Sequence, residues 1–174
     1  MEILELDREK YSGKKFTIRY KTNGYYDIYA DEHGFQIRYI PFEAPVEKSF
    51  DDVLLGEWFE NPVAFGVFEN GKMFGYVEGS LESWNNRFRI SNIGIFDESR
   101  RNSGLGTMLM DTIIGVAKSL DARMVVLETQ SCNEKAISFY KKNGFEIIGF
   151  DLYAYSNIDA ERHEVRVEMG MKLK

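Results

Sequence analysis

The sequence predicts one mixed α/β domain over residues 1–174. Its sheet is mostly antiparallel, with a central parallel strand–helix–strand crossover and flanking helices. Three observations predict this. Apolar residues recur at Leu105, Leu109, Ile113, Val116 and Leu120, the spacing of one buried helix face, just after a short apolar run at Ile93, Ile95 and Phe96. A further apolar run over residues 124–129 follows that helix, and a strand–helix–strand unit of this length closes as a parallel crossover. Upstream, two alternating runs over 63–68 and 72–81 flank Asn70-Gly71, the strongest short hairpin signal in the chain.

The remaining elements follow in order. Residues 16–20, 25–29 and 35–40 alternate with a period of two, separated by the turn signals Thr22-Asn23-Gly24 and Asp31-Glu32-His33-Gly34. Residues 1–34 therefore read as an antiparallel N-terminal extension of the same domain. Pro41 and Pro45 bracket a loop. Ser49 followed by Asp51 and Asp52 reads as the capped start of a short helix over 49–59 that buries Leu54, Leu55 and Trp58. After a bend at 83–86, residues 87–96 form the strand that feeds the crossover. A helix opening at Asn133 stops at Asn143-Gly144, and residues 145–151 and 165–173 read as two closing strands.

Composition narrows the function. A chain of 174 residues with 44% hydrophobic and 29% charged residues has the make-up of an ordinary globular domain. The net charge of −6 disfavours nucleic acid and anionic membrane as partners and favours a cationic small molecule. One cysteine, Cys132, excludes an intrachain disulfide, and with two histidines it offers no metal-ligand spacing, so no metal is expected. The N-terminus lacks a basic region followed by an apolar core, and no apolar run reaches membrane length, so a cytoplasmic protein is expected. An exposed edge strand offers a surface for a homodimer.

The chemistry concentrates at Arg100, Arg101, Asn102, Ser103 and Gly104, continuing through Leu105, Gly106 and Thr107. A strand enters a glycine turn there and leaves as a helix. The free amides of the first helical turn, the positive end of the helix dipole and two guanidiniums together suit phosphate oxygens. A Walker A reading fails because Gly-Lys-Ser/Thr is absent. A dinucleotide reading lacks its third glycine and a downstream acidic residue.

Arg101-x-x-Gly104-x-Gly106, the strand 124–129, and then Asn133, Ala136, Phe139 and Tyr140 resemble the GNAT superfamily of acetyl-CoA-dependent N-acetyltransferases. Over about residues 35–172, the stretches EAPVEKSF, ESWNN, LETQ, NEKAISFY, NGF and GFDLYAYSN are similar to the streptothricin acetyltransferase branch of that superfamily. The resemblance implies acetyl-CoA as co-substrate, lying where the strands that end near Phe96 and Thr129 splay apart. It implies a thioester carbonyl held by backbone N–H groups around Ile93, Gly94, Ile95 and Phe96, and a pyrophosphate on the amides of Arg101–Thr107. Asn133 and Ala136 would meet the pantetheine arm, and Tyr140 would be the acid that protonates the leaving thiolate.

Two departures stand out. Ser91 and Asn92 occupy the place where that branch carries acidic residues, and one extra residue before Gly104 leaves Arg100 and Arg101 competing for the family arginine position.

The reaction needs a proton acceptor. A lysine-like amine with a pKa near 10.4 costs roughly 4–5 kcal/mol to deprotonate at neutrality. Glu128 in LETQ is the first candidate base, Glu78 the second and Glu82 a third. Cys132 has no histidine nearby in sequence, which favours direct transfer in a ternary complex over an acetyl-cysteine intermediate. The acceptor is read as a primary amine on a small cationic molecule. A protein lysine or N-terminus and a polyamine stand as alternatives, and an acyl-CoA-binding module without transfer activity stands as the reading from another class.

Overall fold

The computed structural model describes all 174 residues except for the side chain of Glu98. In chain order the elements are β1 (Glu2–Glu5), α1 (Arg8–Tyr11), β2 (Lys15–Asp31), β3 (Gly34–Val53), β4 (Val63–Glu69), β5 (Lys72–Glu82) and β6 (Arg87–Ile95). They continue with α2 (Leu105–Ser119), β7 (Met124–Gln130), α3 (Glu134–Lys142), β8 (Glu146–Asp151) and β9 (Arg166–Lys172). The chain forms two compact units. Met1–Ile18, Phe50–Leu127 and Met171–Lys174 make the first, and Arg19–Ser49 with Glu128–Gly170 make the second.

In the first unit the strand order is β1-β4-β5-β6-β7. The pairs from β1 to β6 are antiparallel, and β6 with β7 is the parallel one. α2 supplies the crossover. Its stripe of Leu105, Leu109, Met110, Ile113, Ile114 and Ala117 is buried, and the helix packs on β4, β5 and β6. A second cluster of Leu6, Leu54, Leu55, Ala64, Phe68 and Tyr76 closes the other core of this unit, with Tyr11, Phe16 and Met73 packed against it.

In the second unit β8 and β9 form an antiparallel pair from Glu146 opposite Gly170 to Asp151 opposite Arg166. Ser131 N donates to Val165 O at 2.7 Å, which joins the end of β7 to the start of β9. α3 buries Ile137 and Tyr140, and Tyr20, Ile28, Cys132, Phe145 and Val167 are buried in the same unit.

Three expectations are corrected. Thr22-Asn23-Gly24 is not a turn, because β2 runs through it. A Cβ at Gly24 would lie 2.4 Å from Ile40 O, so this glycine permits close approach of the paired strand β3. Asn23 is fixed as well, its N and Nδ2 both donating to Glu134 Oε1.

Pro41 and Pro45 lie inside β3 rather than bracketing a loop. A two-stranded ribbon has outer edges where a proline interrupts no ladder bond.

No helix forms over 49–59. β3 continues to Val53, and tertiary bonds then claim the backbone. Leu54 N donates to Lys14 O at 3.0 Å, Gly13 N to Leu54 O at 2.9 Å, and Leu55 N, at φ 51°, to the Glu78 carboxylate at 2.7 Å. Leu54 and Leu55 are buried as expected, but Trp58 is 68% exposed. The short helix α1 was not anticipated. Asp7 caps it, accepting from Glu9 N at 2.8 Å.

Leu109 has no exposed surface, and truncation to alanine leaves a cavity between α2 and the sheet. Urea unfolding of Leu109→Ala is expected to show a loss of about 2–5 kcal/mol. Trp58→Ala, at the surface, should stay within about 0.5 kcal/mol of the parent.

Candidate active site

In the first unit the candidate residues are placed by a defect in a ladder. Asn92 stands opposite Glu78 and Ile90 opposite Gly79, so Ser91 is an extra residue that bulges β6. On the other edge of β6 the parallel ladder covers Arg87–Arg89 opposite Met124–Val126 and stops, while β6 itself continues to Ile95. Phe96 N donates to Phe74 O at 2.9 Å. By the alternation of antiparallel pairing, Gly94 N turns to β5 as well, and the amides of Ile93 and Ile95 turn to the edge past the end of the parallel ladder.

The glycine turn follows. Asn102 (φ 64°) and Gly104 (φ 89°) both adopt the left-handed region. At Gly104 a side chain is strained whatever the space, although nothing lies within 4 Å of a Cβ there. Ser103 Oγ donates to Arg100 O at 2.6 Å and braces the turn. Met108 N to Gly104 O, at 3.0 Å, is the first i to i−4 bond, so Leu105, Gly106 and Thr107 carry amides with no intrahelical acceptor, and no side chain caps the helix. Leu105 is buried and fixes this end of α2, whereas Asn102, Ser103, Gly104 and Thr107 are exposed and Gly106 half-buried. These donors fit a phosphate oxygen.

The two arginines differ. Arg100 Nη2 donates to Glu69 Oε2 at 2.5 Å, its Cζ lies 4.1 Å from the Phe74 ring centroid, and its bond and charge hold Glu69 below the usual carboxylate range. Arg101 is half-buried at the head of the turn.

Of the candidate bases, Glu78 is fully buried. It accepts from Leu55 N at 2.7 Å and from Asn92 Nδ2 at 3.1 Å, and Asn92 Nδ2 also reaches Asp52 Oδ2 at 2.7 Å. Burial pushes the Glu78 carboxyl up. The bonds from Leu55 and Asn92 return part of that shift, and the Asp52 charge adds to it. Glu82 is held by Arg89 Nε at 2.5 Å, Arg87 Nε at 3.0 Å and Asn85 Nδ2 at 3.1 Å. Burial works to raise it, but these partners outweigh burial and hold it below its ordinary range.

The second unit carries the other residues that the sequence singles out. Asn133 caps α3, its side chain accepting from Ala136 N at 3.4 Å, and Ala136 is half-buried. Tyr140 is 8% exposed between Phe139 and Phe145, and burial pushes its hydroxyl up to about 12. Among the described residues that hydroxyl has no hydrogen-bond partner.

Glu128, the first candidate base, is paired with Arg166 at 2.6 Å and accepts from Tyr155 OH at 3.4 Å. Cys132 is fully buried 3.3 Å from Tyr20 OH, and burial pushes its thiol up. Among the described residues no three of His, Cys, Asp and Glu gather as metal ligands, and no helix is long and apolar enough to cross a membrane.

Asp52, which meets Asn92 beside Glu78, was not among the candidates that the sequence singled out. Its only sequence signal, an acidic pair after Ser49, reads equally well as the first turn of a helix.

A bulged strand that outruns its parallel ladder and feeds a helix with an uncapped first turn suits a phosphate-bearing acyl carrier. The chain belongs to the acetyltransferase (GNAT) family, which matches residues 23–145. It is an acetyl-CoA-dependent N-acetyltransferase, with acetyl-CoA as co-substrate. It is 26% identical to a streptothricin acetyltransferase of Streptomyces lavendulae over 82% of this chain and 79% of that protein. It is 32% identical to a Bacillus subtilis protein named as a [ribosomal protein bS18]-alanine N-acetyltransferase, over 66% of this chain and 74% of that protein. The solved structure of nourseothricin acetyltransferase shares the fold over 99% of this chain and 98% of its own, with a TM-score of 0.78 at 23% identity. A Bacillus anthracis protein solved in complex with acetyl coenzyme A shares it over 100% of both chains, with a TM-score of 0.70 at 22% identity.

The Glu78 carboxyl sets a pH dependence of stability. Its folded-state pKa is raised, so the native state holds the proton more tightly than the unfolded chain does. Its contribution to stability therefore falls as pH rises from the ordinary Glu range through the folded value. Unfolding of the parent and Glu78→Gln, compared at pH 4.5 and 7.5 (roughly the free Glu value and well above it), is expected to show the variant gaining on the parent at the higher pH.

Proposed function

We propose that this enzyme transfers the acetyl group of acetyl-CoA to a primary amine of a small, multiply cationic molecule of the streptothricin kind, directly and without an acetyl-enzyme. The observation that carries this reading is the extent of the likeness. The streptothricin acetyltransferase of Streptomyces lavendulae matches over 82% of the chain, and nourseothricin acetyltransferase shares the fold over 99% of it. The ribosomal-protein-S18-alanine N-acetyltransferase of Escherichia coli shares the fold over only 67%, with a TM-score of 0.56. Acetylation of a protein N-terminal amine is the second reading, favoured by the 32% identity to the Bacillus subtilis relative.

The residues take roles in this scheme. The pyrophosphate rests on the amides from Arg101 to Thr107, with the guanidinium of Arg100 or Arg101 beside it; Arg100 also donates to Glu69 and lies over the Phe74 ring. The amides of Ile93 and Ile95 donate to the thioester oxygen and to the negative charge that develops there, at no reorganisation cost. Asn133 and Ala136 meet the pantetheine arm.

Tyr140 protonates the departing thiolate. A hydroxyl pushed up to about 12 carries its proton throughout the neutral range. Glu78, raised by burial, takes precedence over Glu128, whose carboxylate is engaged by Arg166 at 2.6 Å. Cys132, buried and raised, is unsuited to act as a nucleophile.

Release of coenzyme A thiol, measured with streptothricin, a polyamine, an aminoglycoside and an N-terminal alanine peptide as acceptors, is expected to single out streptothricin. Turnover with the peptide alone would transfer the assignment to the second reading. Tyr140→Phe keeps the ring packing and should lower kcat by about 10²–10⁴-fold with the acetyl-CoA KM little changed. Gly104→Ala should raise the KM for acetyl-CoA and leave that for the amine unchanged.

A further inference from the structure

The first unit contains a cavity of about 540 Å³ that the scheme above does not use. Lys15, Phe16 and Thr17 at the start of β2, Asp51, Asp52 and Val53 at the end of β3, and Trp58 line it. Its position is telling. Asp52 Oδ2 lies 2.7 Å from Asn92 Nδ2, one residue before the Ile93 amide. Phe16 packs edge-on to Tyr76 at 4.8 Å and to Phe96 at 6.5 Å between centroids. The cavity wall is thus continuous with the strip of β6 that ends the parallel ladder.

Its chemistry is cation-seeking. Asp51 and Asp52 set two carboxylates against the one ammonium of Lys15 in its wall, and among the described residues no Lys or Arg is in salt-bridge contact with either carboxylate; Glu78 lies behind Asn92, outside the wall. Asp51 accepts from Thr17 Oγ1 at 2.6 Å. Asp52 accepts from Val53 N and from Asn92 Nδ2, each at 2.7 Å. These bonds fix the carboxylates and leave further lone pairs unspent. Trp58 supplies a π face, since its indole is 68% exposed yet folded over Gly56.

We propose that this cavity holds the cationic part of the acceptor, with Asp51 and Asp52 receiving ammonium groups and Phe16 and Trp58 flanking the molecule's body. The inference rests on the reading that the acceptor is a small cationic amine, and it assigns the discrimination against neutral amines to these four residues. The acids expected on β6, where Ser91 and Asn92 stand, are supplied instead by the end of β3.

Trp58 and Trp84 are the two tryptophans, so Trp84→Phe leaves Trp58 as the single indole reporter. Titration of that protein with streptothricin should give a saturable change in tryptophan emission. Asp51→Asn with Asp52→Asn should weaken that binding at least tenfold, with far-UV circular dichroism unchanged. In turnover, Trp58→Ala and Asp51→Asn, both surface changes that preserve folding, should each raise the amine KM severalfold and leave the acetyl-CoA KM alone.

Acetylation of streptothricin with no emission change and an unaltered amine KM in these variants would overturn the inference and leave the transferase reading intact. Asp-dependent emission change without acetyl transfer would uphold the cavity as the cation seat and overturn the choice of acceptor. Neither binding nor turnover with any amine of the panel would overturn both.

Discussion

The structure depends on one strand being paired unevenly on its two edges. β6 keeps an antiparallel ladder with β5 along its length, broken only by the extra residue Ser91, yet its parallel ladder with β7 ends after Arg89. A sheet normally spends its backbone donors on neighbouring strands. Here the amides beyond Arg89 on one edge are left for something other than a strand. Downstream, the tight turn at Gly104 and the uncapped start of α2 add first-turn amides with no intrahelical acceptor to this supply. The site is built chiefly from main chain, which a change of side chain alters little.

Side chains act mostly to hold that main chain in place. Glu78 accepts from Leu55 N, so a carboxylate rather than a helix stops the chain after Val53 and turns it at a left-handed leucine. Asn92 then joins Glu78 to Asp52 through one amide group. Burying Glu78 has a cost, since desolvation raises its pKa, and neutral hydrogen-bond donors offset that cost where a cation is the usual solution. By contrast Glu82, at the far end of β5, is locked by two arginines and an asparagine.

The fold was largely legible because its central elements are periodic. The stripe of Leu105, Leu109 and Ile113, the Asn70-Gly71 hairpin and the Asn143-Gly144 stop declare themselves within a few residues of where they form, whereas Leu120, expected on the buried face, caps the end of α2 and is exposed. The errors share one cause, a local signal overruled by a distant partner. Thr22-Asn23-Gly24 reads as a turn until Ile40 and Glu134 claim it. Ser49 to Phe59 reads as a capped helix until Lys14 and Glu78 take its backbone bonds. Residues of the candidate site were visible where they sit in a motif, as Gly104, Asn133 and Tyr140 do. Asp52 was not, because its meaning comes from Asn92 forty residues away in sequence.

The burial of Cys132 has a practical consequence. The protein holds one thiol, it has no exposed surface, and burial keeps it protonated at neutral pH. Disulfide dyes react with exposed thiolates. The folded enzyme is therefore silent toward such a dye, so colour developed during turnover counts liberated coenzyme A alone. A cysteine introduced at any exposed position becomes the sole labelling handle, with no need to replace the native one.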